Sequence, residues 1–513
     1  MAKKLFIIGF GTPILRDVTL KLRHNGAQVV YWQGYRDYFK TIARDRANFP
    51  DTIFHYSTDA QRNIPPKSVD VSDFAPPSRE LIMRLLPYQN TALHLISRID
   101  YSGWPVPRQL DLYYRYIAFY EGMLERYAPD AILFPDIPHG GDHYVLYALA
   151  KLRSIPVVIM EQICVESRTV LINDYVTSSL AIRDYYIAHR DDAYGEQDLS
   201  QDLRAYYRRH IHLRGDVTPE YQKHASRSLE PFRTPTPRSI MRHTIKGSLF
   251  PVMYSYLRML WMKNEEETLD APMRGIQYKR IIRKRTRASR ELRKYYESLA
   301  KGAELSKKFV YLPLAYQPER TTCPQAGVFD DQLLMVETVA KALPVGWKLY
   351  VKENPNQLRP ANTFSHLYRC QEYYERIAGL PNVRLIPTEV STYKLIDGAK
   401  AIATATGAAG LEGLLRGKPA LVFGSVWYMY SDGVYRVHDV ASCRDALKRI
   451  ANGYAPGRQR VLNYLIALDR NSVRARHFRA LHYDRKNYTK DNYISHEDNV
   501  KQLTKALLEE IKI

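Results

Sequence analysis

Residues 401–430 limit the possible folds more than any other stretch of the chain. Ala401–Ala405 is an apolar run that reads as a buried strand, and Thr406–Gly410 is a turn without bulky side chains. A helical pattern, Leu411–Arg416, leads through Gly417-Lys418-Pro419 to a second apolar strand, Ala420–Phe423. Strands of a parallel sheet are covered on both faces, so they appear as continuous apolar runs and not as alternating ones. The pattern therefore predicts a β–loop–α–β unit of an α/β domain. Backbone N–H groups at a helix start favour a phosphate or carboxylate. This makes Thr406, Gly407, Ala408 and Gly410 candidates to cradle one, and places Glu412, in the first helical turn, where it could reach a ligand's hydroxyls. The same residues also fit an ordinary glycine-rich βα turn.

A related unit opens the chain. Lys4–Gly9 reads as a strand ending in Gly9-Phe10-Gly11-Thr12, followed by a helix over Pro13–Asn25 and a strand over Gln28–Trp32. This is a Rossmann-like opening without the third glycine of the dinucleotide fingerprint. The glycines are expected to let the backbone turn at the carboxyl edge of the sheet. Helical patterns fill Ser78–Ala128. Ala131–Phe134 is a strand, Tyr144–Arg153 a helix and Pro156–Met160 a strand with Glu161 at its end. Further strands are expected at Phe309–Leu314, Lys348–Val351 and Val383–Ile386. The expected fold class is α/β with two Rossmann-like domains: a parallel, doubly wound domain over 1–200, a helical basic connector over 201–305, a second Rossmann-like domain over 306–455, and helices over 456–513 that pack back on the first domain.

The chain of 513 residues carries a net charge of +21, which calls for an anionic partner. The charge concentrates in the connector: Arg274–Lys294 holds ten basic residues and one acid, Glu291. That segment reads either as a solvated helix or as a surface for anionic lipid or polymer. The longest apolar run, Leu249–Met262, is broken by Arg258 and is too short to span a bilayer. The four cysteines are far apart and without metal-ligand spacing, which fits reduced, buried thiols in a cytosolic protein.

Three loops leave the ends of second-domain strands and should converge on one crevice. They carry Tyr316-Gln317-Pro318-Glu319-Arg320, Lys352-Glu353-Asn354-Pro355 and Thr406-Gly407-Ala408-Ala409-Gly410-Leu411-Glu412-Gly413. In this order they resemble the capsule polysaccharide synthesis proteins, a family that includes bacterial Kdo transferases. The resemblance implies a B-type glycosyltransferase fold with two domains facing a cleft. It also implies a nucleotide-sugar donor, CMP-linked and acidic, held by the second domain through Gln317, Glu319, Arg320, Lys352, Asn354, Thr406, Gly407, Ala408, Gly410 and Glu412. Asn354 departs from the family, which usually has histidine there; asparagine can give the leaving phosphate only a neutral hydrogen bond.

The group that faces the reacting carbon must then come from the first domain. Asp136, His139, Asp142, His143, Glu161 and Glu166 are the candidates. Glu161, Asp136 and His139 are the catalytic residues expected, the two acids because they end buried strands. Helix capping by Asp136 or Asp142 is the competing reading. The spacing of His139 and His143 could suit a metal, but no third ligand is evident, so no metal is expected. The expected activity is transfer of a sugar, such as Kdo from CMP, onto a surface polysaccharide or lipid-linked glycan. The expected setting is cytoplasmic, peripheral on the inner face of an anionic membrane, with no cofactor beyond the donor substrate. A non-catalytic nucleic-acid or anionic-polymer binder and a sugar-nucleotide epimerase are the rival readings. The sequence shows no nucleic-acid-binding motif.

Overall fold

The computed structural model describes residues 2–100, 104–212, 273–359, 365–477 and 494–512, with isolated positions between 241 and 264. The Pro-rich segment 230–238 and most of the apolar run 249–262 lie outside the described residues. Among the described residues, no helix is long and apolar enough to cross a membrane.

The first sheet contains β1 (Lys3–Ile8), β2 (Ala27–Gly34), β3 (Ile53–Tyr56), β4 (Ala131–Phe134), β5 (Val157–Gln162) and β6 (Thr169–Ile172) in the order β3-β2-β1-β4-β5-β6. The second contains β7 (Phe309–Pro313), β8 (Lys348–Lys352), β9 (Val383–Ile386), β10 (Ala401–Thr404), β11 (Ala420–Val422) and β12 (Val434–Arg436) in the order β9-β8-β7-β10-β11-β12. The two sheets thus share one doubly wound order, and the expectation of two Rossmann-like α/β domains is met. One detail differs. The first sheet is not wholly parallel, because β6 runs antiparallel to β5. Only 163–168 join them, and a parallel crossover needs a dozen residues or more.

Strand alternation splits each core in two. Phe6 and Ile8 pack with the helices Arg79–Ser97, Val106–Tyr127 and Gly141–Leu152. Leu5 and Ile7 face the opposite side, with helix Pro13–His24 and the last helix, His496–Ile511. In the second lobe Val310 and Leu312 meet helices Gln332–Ala342 and Val440–Ala451, while Phe309 and Tyr311 meet helix Thr392–Gly398. Helix Arg458–Arg470 also packs on the first lobe, where Tyr464 lies edge-on to Tyr186.

The cationic segment forms helix Gly275–Leu299. Arg285, Ser289, Leu292 and Tyr296 are buried at helical spacing against the second lobe. The Tyr296 hydroxyl donates to the Ile386 carbonyl at 2.5 Å. Arg280, Arg283, Lys284, Arg287, Arg290, Arg293 and Lys294 are exposed on the other faces. The cysteines depart from expectation: Cys323 and Cys443 are buried, but Cys164 and Cys370 are exposed.

Candidate active site

The carboxyl edges of the two sheets meet. β4 leads into Pro135-Asp136, and β5 ends in Glu161-Gln162. Opposite them stand the loop after β7, which carries Arg320 and Gln325, and the loops after β10 and β11, which carry Thr406 and Ser425. Bonds cross the seam at several points. Ser425 Oγ donates to the Val176 carbonyl at 2.9 Å, and Arg98 donates to the carbonyls of Glu319 and Cys323.

At the centre Arg320 reaches from the second lobe into the end of the first sheet. Its Nε lies 3.1 Å from Asp136 Oδ2, its Nη1 lies 3.4 Å from Glu161 Oε1, and its Nη2 donates to the Gln162 carbonyl at 3.1 Å. Gln325 Nε2 also donates to Glu161 Oε1, at 3.4 Å. The second carboxylate oxygen of Glu161 is buried and has no hydrogen-bond partner. Burial pushes the Asp136 pKa up to about 7, with the Glu161 charge adding to it, although Arg320 and the Ile137 N–H pull it down. Burial also raises Glu161, against the charge of Arg320. The fold therefore holds two carboxyls and one guanidinium in a pocket of low dielectric, and one of the acids can both give and take a proton at neutral pH.

The capping reading fails for both aspartates. Asp136 Oδ1 accepts from the adjacent Ile137 N–H at 2.9 Å, and the helix beyond starts at Gly141, capped by Gly140 without a side-chain bond. Asp142 is fully buried and accepts from Gln33 Nε2 at 2.7 Å, in a polar cluster where the same nitrogen lies 3.0 Å from His143 Nε2. His143 and Asp142 thus belong beneath the sheet edge. Glu166 is drawn away to Arg209. His139 keeps an exposed edge at the seam, with Nδ1 2.7 Å from the Ile137 carbonyl. Partial desolvation at the seam and the charges of Arg98 and Arg320 lower its pKa, so it is neutral at physiological pH.

The second-lobe candidates do not all remain available to a ligand. Lys352 Nζ donates to the Val390 carbonyl at 2.5 Å and to Thr392 Oγ1 at 3.0 Å, and burial lowers its pKa to about 8. The Gln317 amide donates to the Asp330 carbonyl at 2.9 Å and accepts from Arg369. Asn354 Oδ1 accepts from the Asn356 N–H at 3.0 Å and so shapes its own turn. Glu319 is exposed and accepts from Thr321 Oγ1 at 2.8 Å. In the small-residue turn, the Gly407 N–H donates to Thr404 Oγ1 at 3.0 Å, and Thr406 Oγ1 donates to the Thr321 carbonyl at 2.6 Å. Ala408 is exposed. The helix after the turn is short, Ala409–Leu415. A Cβ on Gly410 would come within 2.3 Å of the Tyr428 hydroxyl, which itself donates to the Gly407 carbonyl. Glu412 is half-buried, and its charge adds to burial in raising the pKa values of Tyr206, Tyr311 and Tyr428.

The Gly9-Phe10-Gly11 turn also has a backbone role. Gly9 adopts φ +76°, and a Cβ on Gly11 would lie 2.6 Å from the Tyr35 carbonyl oxygen. One contributor had no sequence signal at all. His477, from the segment before the last helix, sets Nε2 2.5 Å from the Pro135 carbonyl, and its backbone N–H donates to Gln162 Oε1 at 3.2 Å. It thereby ties together the ends of β4 and β5. Among the described residues, one group has metal-ligating chemistry: the donor atoms of His94, Cys323 and Asp330 lie within 4.8 Å of one another across the seam. His94 Nδ1 and Asp330 Oδ2 are 2.5 Å apart. Two ligands of a tetrahedral zinc stand roughly 3.3 Å apart, given bonds near 2.0 Å, so this contact is a hydrogen-bonded clasp between the lobes.

Residues 271–451 match the family model described as "Capsule polysaccharide biosynthesis protein". No curated protein matches the chain. Among solved structures, the chain is similar to a KpsC β-Kdo 2,7 transferase of Thermosulfurimonas dismutans at 11% identity, covering 81% of this chain and 96% of that one, with a TM-score of 0.32. A KpsC β-Kdo 2,4 transferase of the same organism gives 14% identity, coverage of 66% and 87%, and a TM-score of 0.25. The UDP-GlcNAc 2-epimerase of Methanocaldococcus jannaschii gives 10%, coverage of 89% and 97%, and 0.23.

Proposed function

We propose, on the premise that residues 271–451 are a capsule polysaccharide biosynthesis module, that this chain is a nucleotide-sugar-dependent glycosyltransferase. In this reading the donor is an acidic sugar of the Kdo type carried on CMP, and the acceptor is a surface polysaccharide or lipid-linked glycan. The observation that carries the reading is the meeting of Asp136 and Glu161 with Arg320 where the two sheet edges face each other.

In the transfer, the bond between the anomeric carbon and the donor phosphate oxygen breaks, and the nucleotide leaves with the electron pair. The acceptor oxygen bonds to that carbon and gives up its proton. Asp136, titrating near 7, is suited to take the proton. Glu161, with an oxygen left unpartnered, stabilises positive charge on the sugar ring. Arg320 exchanges its carboxylate partners for the donor's phosphate, a charged and bidentate match. His139, neutral and with its Nδ1–H given to the Ile137 carbonyl, accepts a hydrogen bond through Nε2 at the mouth. The Thr406–Gly410 turn and Glu412 hold the nucleotide, and Glu319 lines its entrance. Gln317, Lys352 and Asn354 shape the loops beneath. The exposed cationic face of helix Gly275–Leu299 rests on the anionic inner face of the membrane, in the cytoplasm.

The test is incubation with CMP-, UDP- and GDP-sugars, with and without a glycan acceptor. The expected result is CMP release from CMP-Kdo, accelerated by acceptor. A salt-sensitive shift with DNA and no nucleotide release from any donor overturns the reading in favour of a polymer-binding protein. Isomerised sugar nucleotide formed without acceptor overturns it in favour of an epimerase.

A further inference from the structure

A cavity of about 440 Å³ opens away from the seam, between helix Gln201–His212, the loop that enters β11, and the start of helix Arg458–Arg470. Its lining includes Tyr207, His210, Asp397, Arg416, Lys418 and Arg458. Residues 416–418 precede β11, so this cavity lies at the amino edge of the second sheet, opposite the edge that carries the candidate active site. Its size falls in the range of small-ligand pockets.

The charge in the cavity is lopsided. Three cationic side chains, Arg416, Lys418 and Arg458, line the cavity with one carboxylate, and that carboxylate is engaged: Asp397 Oδ1 lies 2.8 Å from Arg416 Nη1. Arg458 Nε donates to the Tyr207 hydroxyl at 3.4 Å. Two titrating groups of the wall are held toward their neutral forms, mainly by burial. Burial and the neighbouring Lys400 charge lower the Lys418 pKa. Burial, together with the Arg209 and Arg416 charges, lowers His210 to about 4. The remaining wall is aliphatic and aromatic. An inorganic anion needs polar contact on all sides. A sugar ring offers C–H faces to an apolar wall and hydroxyls to an aspartate, and only its substituent calls for cations.

We propose that this cavity is a second carbohydrate subsite, specific for a carboxylate- or phosphate-bearing unit of the glycan that the protein extends. The choice of a glycan as occupant rests on the transferase reading above; the cationic, half-apolar pocket does not. The subsite would hold an acidic segment of the chain at a distance from the reacting end.

The test uses the full chain and titration calorimetry with an oligogalacturonate, a neutral oligosaccharide of equal length, inorganic phosphate and a single-stranded oligonucleotide. The double variant Lys418→Gln/Arg458→Gln should lose about tenfold or more in affinity for the oligogalacturonate, as expected for two charge-assisted contacts, while nucleotide release from the donor stays at the parent rate. Asp397→Asn should move affinity the other way, which separates loss of the site from loss of the fold. Equal affinity of parent and double variant for the acidic glycan overturns the proposal. So does equal binding of the neutral glycan, phosphate binding as tight as the glycan's, or tighter binding of the oligonucleotide. Variant-sensitive glycan binding without any donor turnover would keep the subsite and remove the transferase reading.

Discussion

At the carboxyl edge of the first sheet, Asp136 and Glu161 share one arginine from the other lobe: burial raises both pKa values, and one Glu161 oxygen is orphaned. At the same edge of the second sheet, Lys352, Gln317, Glu353 and Thr404 are bound to neighbours within their own lobe. Two sheets of one strand order thus carry opposite furnishings. Unsatisfied buried charge is costly unless a ligand or a reaction uses it. Satisfied loops make a rigid seat. In the transferase reading proposed above, the contrast gives chemistry to the first lobe and positioning to the second, with Arg320 as the group that passes between them.

The sharpest way to break this contrast is Glu161→Ala. It should lower turnover by about 10²–10⁴-fold, the usual reach of a charged catalytic side chain, while nucleotide affinity by calorimetry stays near the parent value. A matching loss of nucleotide binding would move Glu161 to the seat and undo the division. Asp136→Asn tests the same edge through pH. If ionised Asp136 takes the acceptor's proton, parent kcat/KM rises with pH and levels off above about 7, and the asparagine variant loses that rise. The stability sign is opposite. A carboxyl whose folded pKa is raised binds more protons folded than unfolded, so the parent loses stability as pH climbs from about 4 to about 7. Differential scanning should show the melting temperature of the variant gaining on the parent across that window.

The second lobe is tested through stability. Arg369 and Glu353 form a pair of 2.7 Å with 1% and 0% side-chain exposure, and Glu353 also accepts from the Tyr374 hydroxyl. Glu353→Gln strands a buried guanidinium and should cost about 3–5 kcal/mol by urea unfolding. Gly410→Ala should cost less, about 1–3 kcal/mol, because the new methyl meets the Tyr428 hydroxyl at 2.3 Å. Adding Tyr428→Phe should recover part of that loss. If it recovers none, the clash is not what sets the turn.

The two lobes were also unequally legible in the sequence. β10 is a fully buried run, Ala-Ile-Ala-Thr, because an inner parallel strand is covered on both faces, and its limits were readable to within a residue; β9, at the sheet edge and half-buried around Arg384, was placed with the same limits. β3, β6 and β12 were missed. They are strands of three or four residues at or beside sheet edges, and β3 and β12 mix polar with apolar positions: Ile-Phe-His-Tyr and Val-Tyr-Arg. Asp136 and Glu161 were visible because each ends a readable strand. Arg320 was named too, but as a donor-binding residue; its pairing with them was not visible, since it lies 159 residues beyond Glu161 and only the docking of the lobes brings them together. His477 and the commitments of Lys352 and Gln317 were hidden because packing within each lobe, which spacing along the chain does not show, supplies their partners. Motif spacing marks which loops reach the crevice; it does not say which of their side chains are already occupied.

The smallest expected effect concerns a third region, helix Gly275–Leu299, whose buried face belongs to the rigid second lobe and whose outer face is cationic. Each exposed arginine near an anionic bilayer contributes about 1 kcal/mol, screened within about 8 Å at physiological salt. Arg290 is exposed, whereas Arg287 shares its charge with Glu291 at 2.9 Å. Arg290→Gln should therefore weaken co-sedimentation with phosphatidylserine vesicles by about fivefold, and Arg287→Gln by less. Neither should change the melting temperature, because neither side chain is part of the buried stripe Arg285, Ser289, Leu292 and Tyr296. Equal binding of the parent to neutral vesicles would strip the helix of its membrane role and leave its charge as solvation, with the contrast between the two sheet edges untouched.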